Sequence, residues 1–308
     1  MTLETLFWNV LAEKDGYPCR LLDGQREWYQ NLDPAFRDRA LCTSGARLVF
    51  LSEVPILRLS YEAVSFCRSC NVVDFYENDV HTGSVRLPDM QYQGNVVFER
   101  KTKGRAKIEI WLPNTCGLRI TGFDFGDCQE VPKPNTRLLL LGDSIMQGIC
   151  SYYPTCSVSN LICRELGVEM VNQSVGGAGF FPEALEPISA DRVLVALGIN
   201  DVFSGDSLET VGHRIRDYFS RLRTMYPKQS ISCITPIWTV RLEDPEKWNR
   251  FSRAEEIIRR EAKQQSVRII EGMPMVPHVR KFYNEDGIHP NDLGFAVYAM
   301  SLLKYLKE

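Results

Sequence analysis

The feature that most constrains this chain is a series of five short apolar segments that alternate with helical segments in its C-terminal half. The apolar segments are residues 137–141, 168–172, 192–197, 230–235 and 267–270. The longest helical segments are residues 208–225, 245–265 and 291–306. Strands that are apolar on both faces and alternate with helices form a parallel sheet that helices cover on both sides. The C-terminal half is therefore predicted to be a three-layer α/β/α domain with a five-stranded parallel sheet.

The N-terminal half has a different pattern, with short runs rich in β-branched and aromatic residues. These runs are residues 47–51, 56–59, 95–99, 107–112 and 118–120. Closely spaced strands with little helical periodicity between them predict an antiparallel, jelly-roll-like β-sandwich. The segment before residue 45 has no clear pattern and is assigned no structure.

Two prolines, Pro132 and Pro134, separate these patterns. Proline cannot donate to a sheet ladder and stiffens a linker. We therefore expect an N-terminal β-sandwich domain at residues 1–130, a linker at 131–136 and the α/β domain at 137–308.

The composition excludes several classes of protein. Of the 308 residues, 44% are hydrophobic, which is enough to form a core and argues against disorder. The 36 basic and 39 acidic residues give a net charge of −3, so we expect no nucleic-acid partner. No apolar run approaches the roughly 18 residues of a membrane span, and no basic signal-peptide region opens the chain. The ten scattered cysteines fit reduced thiols, so a cytoplasmic location without a membrane partner is expected.

Candidate reactive residues follow the ends of the predicted strands, where open parallel sheets bind ligands. The first strand leads into Gly142-Asp143-Ser144, the second into the glycine-rich residues 172–179 and the third into Gly198-Ile199-Asn200. A fourth fragment, from Asp286 to His289, precedes the last helix. Each fragment alone is typical of a loop, a turn or a helix cap. Their common order, with three after successive strands, indicates one site.

With these fragments, residues 137–308 resemble the SGNH/GDSL hydrolase family, whose domain is flavodoxin-like. The family's blocks are Gly-Asp-Ser, a glycine, Gly-x-Asn-Asp and Asp-x-x-His, and all four are present in that order. The resemblance implies that Ser144 is the nucleophile, that His289 is the general base and that Asp286 orients His289. It also implies an oxyanion hole formed by the Ser144 N–H, Gly177 and Asn200. Gly177 matches better than the neighbouring Gly176.

The chemistry of these residue types agrees with the implied roles. A serine hydroxyl needs a base to become a good nucleophile, and imidazole titrates near neutrality. Asp286 lies three residues before His289, so a tight turn can place its carboxylate against an imidazole N–H. The expected reaction is ester hydrolysis through an acyl-enzyme.

Other kinds of site fit the sequence less well. The Gly-x-Ser-x-Gly elbow of α/β-hydrolases and the Lys-Ser/Thr ending of a phosphate-binding loop are both missing. Cys67 and Cys70 form half of a zinc pattern that no second ligand pair completes. We therefore expect no metal and no cofactor.

The first domain and two residues near predicted strand ends give indications about the substrate. Several SGNH carbohydrate esterases have a β-sandwich before the hydrolase domain, and residues 72–76 resemble a degenerate Gly-x-Asp-Leu-Tyr segment of one such group. This resemblance implies an enzyme that removes short acyl groups, above all acetyl, from a small acylated sugar. Asp74 and Tyr76 either bind substrate or hold strands together. Asp143 and Trp238 are candidate substrate-binding residues, and the Trp238 ring either stacks on a sugar or covers the site.

Two alternatives to a carbohydrate esterase stay open. The first is a short-chain arylesterase or thioesterase of the GDSL family. The second, less favoured, is a carbohydrate-binding protein without turnover. The sequence leaves the oligomeric state open.

Overall fold

The computed structural model describes residues 2–69 and 71–307, so Cys70 of the incomplete zinc pattern lies outside the described residues. The segment that had no predicted structure consists of short elements. They are α1 (Leu3–Leu6), β1 (Phe7–Trp8), β2 (Ala12–Lys14), β3 (Tyr17–Cys19), α2 (Asp23–Leu32) and α3 (Pro34–Ala40).

Two antiparallel sheets follow. Their strands are β4 (Arg47–Ser52), β5 (Ile56–Phe66), β6 (Asn71–Glu77), β7 (Val80–Leu87), β8 (Gln93–Glu99), β9 (Ala106–Trp111), β10 (Cys116–Asp124) and β11 (Gln129–Glu130). One sheet has the order β1-β4-β9-β6-β7, with β11 also paired to β4, and the other has the order β10-β5-β8. Their inner faces share one apolar core, in which Phe75 of the first sheet stacks on Phe98 of the second. The predicted antiparallel sandwich is confirmed.

The remaining chain forms the parallel sheet and its helices. The strands are β12 (Arg137–Gly142), β13 (Glu169–Asn172), β14 (Arg192–Ala196), β15 (Ser230–Ile234) and β16 (Arg268–Ile270). The helices are α4 (Ser144–Gln147), α5 (Val158–Leu166), α6 (Ile199–Phe203), α7 (Leu208–Met225), α8 (Pro245–Gln264) and α9 (Asp292–Leu306). Four 3₁₀ turns lie at Pro154–Cys156, Pro182–Ala184, Val240–Glu243 and Arg280–Phe282. The sheet order is β13-β12-β14-β15-β16 with parallel neighbours, which confirms the prediction.

Alternate residues of β12 bury their side chains on opposite faces of this sheet. Leu138 and Leu140 pack in one core with side chains of α5 and α9, whereas Leu139 and Leu141 pack in a second core with side chains of α7. This alternation follows from the two-residue repeat of a strand. It makes β12 apolar on both sides, as the sequence predicted.

The N-terminal segment packs on the parallel-sheet unit as well as on the sandwich. Tyr29 of α2 and Ala40 of α3 belong to the second of these two cores. The Arg20 guanidinium is buried and donates to the carbonyl oxygens of Asn172 and Ser174, at 2.9 and 2.7 Å, just beyond β13. Arg20 also donates to the carbonyls of Cys42 and Arg39. The Arg20 side chain therefore links its own strand region to the backbone of residues 39–42 and of residues 172–174.

The sandwich contacts the parallel-sheet unit through Asp74 and Tyr76. The buried Asp74 carboxylate accepts hydrogen bonds from the N–H and hydroxyl of Thr155, at 3.1 and 2.6 Å. The Arg164 guanidinium lies 3.9 Å from the centre of the Tyr76 ring. These contacts give Asp74 and Tyr76 a structural role between the sandwich and the parallel-sheet unit. Residues 131–136 lie in no helix or strand, and the division into domains stays a prediction.

Within residues 2–69 and 71–307, no helix is both long enough and apolar enough to cross a membrane.

Candidate active site

Ser144 is the first residue of α4, directly after the end of β12. The Asp143 side chain caps this helix by accepting a hydrogen bond from the Ile145 N–H at 2.9 Å. At its other end the helix stops after one turn at Gly148, whose φ of 80° suits glycine. The cap and the short helix fix the Ser144 hydroxyl at the carboxyl edge of the sheet.

His289 lies between Ser144 and Asp286. Its Nε2 is 2.7 Å from the Ser144 hydroxyl oxygen, and its Nδ1 is 2.7 Å from an Asp286 carboxylate oxygen. The other Asp286 oxygen accepts hydrogen bonds from the backbone N–H groups of Ile288 and His289, at 2.8 and 3.0 Å. With the Nδ1 proton donated to Asp286, the neutral ring presents an Nε2 lone pair to the Ser144 hydroxyl.

The surroundings of the Asp286–His289 pair shift both pKa values toward the charged forms. Burial would raise the pKa of Asp286, but hydrogen bonds from the His289 side chain and from two backbone N–H groups outweigh it and hold that pKa well below its ordinary value. Burial would lower the pKa of His289, but the hydrogen bond to Asp286 and the nearby Cys150 thiol outweigh it and raise that pKa to about 9. The imidazolium that forms when His289 accepts a proton is therefore stabilised.

The two candidate glycines differ in what their N–H groups contact. The Gly176 N–H donates to the Gln147 side-chain oxygen at 2.6 Å. Within the described residues, the Gly177 N–H has no acceptor, and Gly177 adopts a φ of 85°. A free donor at this loop is what an oxyanion requires. The geometry thus favours Gly177 over Gly176 as the donor.

Asn200 and Asp201 begin α6, after β14. The Asn200 side-chain amide donates to the Ala178 carbonyl at 2.8 Å, which leaves a second N–H for a ligand. The buried Asp201 carboxylate accepts hydrogen bonds from the Phe180 N–H, and burial raises its pKa to about 6. Asp201 thereby fixes the glycine loop against α6.

A cavity of about 240 Å³ opens beside these groups. Six of its lining residues come from the parallel-sheet unit: Ser144, Ile149, Gly176, Gly177, Asn200 and His289. Four of these, Ser144, Gly177, Asn200 and His289, are predicted site residues, and the structure brings them together. The other three lining residues come from the N-terminal part of the chain: Arg39, Cys67 and Arg68. Asp286 lies behind His289.

The structure does not bring the two candidate substrate-binding residues into this cavity. Asp143 is buried, and burial raises the pKa of its carboxyl to about 6 while its oxygen caps α4. The Trp238 ring is buried, stacks on His278 with the ring centres 5.1 Å apart and meets Tyr283 edge-on. Trp238 follows a strand end as predicted, but its ring packs inside the protein.

Sequence reasoning missed several residues of the site. Arg39 lies in the segment without predicted structure, and Cys67 and Arg68 follow β5 in the fragment that the sequence indicated only as half of a zinc pattern. Gln147 had a usable signal, because a buried polar residue close to a nucleophile in sequence must find hydrogen-bond partners. Its amide donates to the Arg39 carbonyl at 3.1 Å while its oxygen holds Gly176.

Cys150 is a further neighbour of the predicted base. Its sulfur, a ring nitrogen of His289 and a carboxylate oxygen of Asp286 lie within 4.8 Å of one another. These are donor types that zinc accepts, so these three side chains could hold such an ion. Both His289 and Asp286 already use their polar atoms in the hydrogen bonds that lead to Ser144.

Known structures share this architecture. A putative GDSL-like lipase from Bacteroides ovatus aligns over 99% of this chain and 96% of its own, with a TM-score of 0.82 and 17% identity. A salicylyl-acyltransferase from a tetracycline biosynthetic pathway aligns over 98% of this chain and 93% of its own, with a TM-score of 0.79 and 18% identity. An acetyl xylan esterase from the rumen bacterium Butyrivibrio proteoclasticus aligns over 85% of this chain and 89% of its own, with a TM-score of 0.62 and 15% identity.

The family assignment depends on a sequence comparison. No curated protein sequence matches the chain. The model of the GDSL-like lipase/acylhydrolase family matches residues 140–297, which is just over half of the chain and extends from β12 into α9. The match contains Ser144, Asn200 and His289. The chain therefore belongs to the GDSL-like lipase/acylhydrolase family and is a serine ester hydrolase.

Proposed function

We propose that this protein hydrolyses short acyl esters, above all O-acetyl esters of carbohydrates, through Ser144, His289 and Asp286. The observation that supports the proposal most directly is the pair of 2.7 Å contacts that His289 makes, one from each ring nitrogen, to Ser144 and to Asp286. A serine activated in this way is the nucleophile of an acyl transfer reaction.

In the proposed first half-reaction, the Ser144 oxygen attacks the ester carbonyl carbon while Nε2 of His289 accepts the hydroxyl proton. Asp286 stabilises the resulting imidazolium. The N–H groups of Ser144 and Gly177 and the Asn200 amide donate to the oxyanion. The tetrahedral intermediate then collapses, the bond to the alcohol oxygen breaks, and His289 gives its proton to that oxygen. The alcohol leaves, and the acyl group remains on Ser144.

In the second half-reaction, water replaces the alcohol. His289 accepts a proton from the water as it attacks the acyl carbon, and the same donors stabilise the second oxyanion. Collapse returns the proton to the Ser144 oxygen and releases the carboxylic acid. The two half-reactions thus need no reactant other than the ester, one water molecule and the side chains of this chain.

Two observations support the proposed short acyl group and the carbohydrate substrate. The cavity of about 240 Å³ is small, which favours a short acyl group over a long chain. The acetyl xylan esterase has a similar fold over most of both chains. The competing function is a short-chain arylesterase or thioesterase, and a binding protein without turnover is the more distant alternative.

The test is release of p-nitrophenol from p-nitrophenyl acetate by wild type and Ser144→Ala. We expect the variant to lose at least about a thousandfold in kcat, the scale of loss seen when a triad member is removed. Ser252→Ala is the matched control, because that hydroxyl lies on α8 and donates to the carbonyl of the preceding turn. Equal rates for wild type and Ser144→Ala would contradict the proposed nucleophile.

A second panel then tests the substrate class. Wild type is compared on acetylated sugars, nitrophenyl esters of increasing chain length and acetyl-CoA. We expect acetylated sugars to be hydrolysed with the highest kcat/KM. A strong preference for the thioester would overturn the carbohydrate proposal and leave the serine mechanism in place.

A further inference from the structure

The charge of the cavity points to a property of the substrate that the proposed reaction does not require. Two arginines of the N-terminal part line the cavity. They are Arg39, in the last turn of α3, and Arg68, just after β5. No carboxylate is among the lining residues. The nearest acid of the site, Asp286, is already paired with His289.

Neither arginine is neutralised by the protein itself. Across residues 2–69 and 71–307, no aspartate or glutamate lies within ion-pair distance of Arg39 or Arg68. Most other arginines of the chain with a defined partner contact a carboxylate, as Arg137 does with Glu169 at 2.8 Å. Two unpaired cations at one small cavity raise the local potential for an anion.

The position of the Arg39 guanidinium is defined by two contacts. One guanidinium nitrogen donates to the Gly176 carbonyl at 3.0 Å, and the guanidinium lies 5.6 Å from the centre of the Phe36 ring. That same nitrogen would be only 2.8 Å from a Cβ atom placed on Gly177. Arg39 therefore lies directly against the loop that carries the proposed oxyanion donor, and its other N–H groups stay available to a ligand.

The thiol of Cys67 lines the cavity beside Arg68 and lies within reach of the same positive charges. A hydrogen bond with Cys42 lowers the pKa of the Cys67 thiol, and the positive charges of Arg39 and Arg68 act in the same direction, against the effect of burial. The cavity wall thus favours a negative charge where no acidic side chain is present.

We propose that the cavity binds esters that carry an ionised carboxylate, and that Arg39 and Arg68 are the residues that select them. A carboxylate fits the planar guanidinium fork through paired N–H···O bonds. The carboxylate belongs either to the sugar, as in an acetylated uronic acid, or to the acyl chain, as in the half-ester of a dicarboxylic acid. This inference rests on the proposed esterase function and narrows its substrate class.

The experiment compares kcat/KM for matched charged and neutral esters. The sugar arm uses an O-acetylated methyl glucuronide and the carboxamide of the same sugar. The acyl arm uses p-nitrophenyl hydrogen adipate and its terminal amide. In at least one arm, we expect the carboxylate to be preferred by about tenfold or more, the scale of a charge-assisted hydrogen bond at a partly exposed site. The arm with the preference identifies where the carboxylate lies.

Variants assign the preference to the two arginines. In Arg39→Gln and Arg68→Gln, we expect the ratio of charged to neutral kcat/KM to fall toward one, mainly through KM, because the group bound is remote from the reacting bond. Arg68→Lys should keep part of the ratio. Arg58→Gln is the matched control, since Arg58 is exposed near the opposite end of β5 and should leave the ratio unchanged.

The outcomes separate the two proposals. Equal rates on charged and neutral esters in both arms, or a ratio that survives both glutamine variants, would overturn the carboxylate site while the esterase function stands. If folded wild type hydrolyses none of the esters, or if Ser144→Ala hydrolyses them equally well, the esterase function itself fails. Circular dichroism of each variant establishes that it is folded.

Discussion

At the scale of single residues, His289 is the group on which the proposed chemistry depends, because it contacts both Ser144 and Asp286. Its imidazole must be neutral in the free enzyme to accept the serine proton. The Asp286 carboxylate makes this ring a better base. Against the effect of burial, Asp286 and the nearby Cys150 thiol raise the pKa of His289 to about 9, so the ring is mostly protonated at neutral pH. A strong base and a low neutral fraction are two consequences of the same hydrogen bond.

This gives a prediction for the dependence of the rate on pH. Because the pKa of His289 is raised, kcat/KM should increase with pH, by up to about tenfold per unit, and level off at about 9. Asp286→Asn removes the charge that stabilises the imidazolium, so the midpoint should move down toward the ordinary histidine value of about 6.5. The same variant should lower the plateau by about 10³–10⁴, since the ring loses its orienting partner.

Stopped-flow or steady-state rates across the pH range, in buffers of constant ionic strength, measure both effects. A wild-type midpoint near 6.5, or a midpoint that does not move in Asp286→Asn, would contradict the assigned pair.

Asn200 gives a second prediction at this scale. Its amide is one of three proposed oxyanion donors, and Asn200→Ala should lower kcat by about 10²–10³ with little change in KM. Asn95→Ala, on the exposed side of β8, is the control. A loss in Asn200→Ala that appears mainly in KM would indicate substrate binding in place of transition-state stabilisation.

At the scale of elements, the sequence predicted the parts whose pattern is local. The apolar segment at 137–141 is β12, and the helical segment at 208–225 is α7 (Leu208–Met225). Ser144 and Asn200 could be identified as candidates because they lie two residues after β12 and four residues after β14. The strands before residue 45 could not be assigned, because they are only two or three residues long and so show no period, and β1 pairs with the distant β4. Arg39 lies on α3 in this segment and Arg68 lies just after β5. Both are far in sequence from Ser144 and His289, so no sequence pattern connected them with the site.

Arg20 gives a prediction about how these short elements are held. Arg20→Met should lower the free energy of unfolding by about 3 kcal/mol or more, because four backbone carbonyls lose a buried charged donor. Chemical denaturation followed by circular dichroism measures the change. Arg58→Met, at an exposed position of β5, should change it little. Equal stability of Arg20→Met and wild type would show that water replaces the guanidinium without cost.

At the scale of the whole molecule, the site is assembled from parts that are far apart in sequence. Ser144 and His289 lie 145 residues apart, and the cavity wall adds Arg39 and Cys67 from the N-terminal part. Asp74 of the sandwich contacts Thr155, shortly before α5, and Tyr76 contacts Arg164, in the last turn of α5. The sandwich and the N-terminal segment therefore support the side of the cavity that the catalytic motifs do not supply.

This assembly should activate Ser144 as a nucleophile, and covalent labelling measures that activation. A fluorophosphonate reacts with a serine only where a base and an oxyanion site are in place. Intact protein, urea-denatured protein and Ser144→Ala are treated in parallel, digested and mapped by mass spectrometry. We expect one labelled peptide, which contains Ser144, in the intact protein alone. Label on another serine, or esterase activity that persists without label on Ser144, would contradict this expectation.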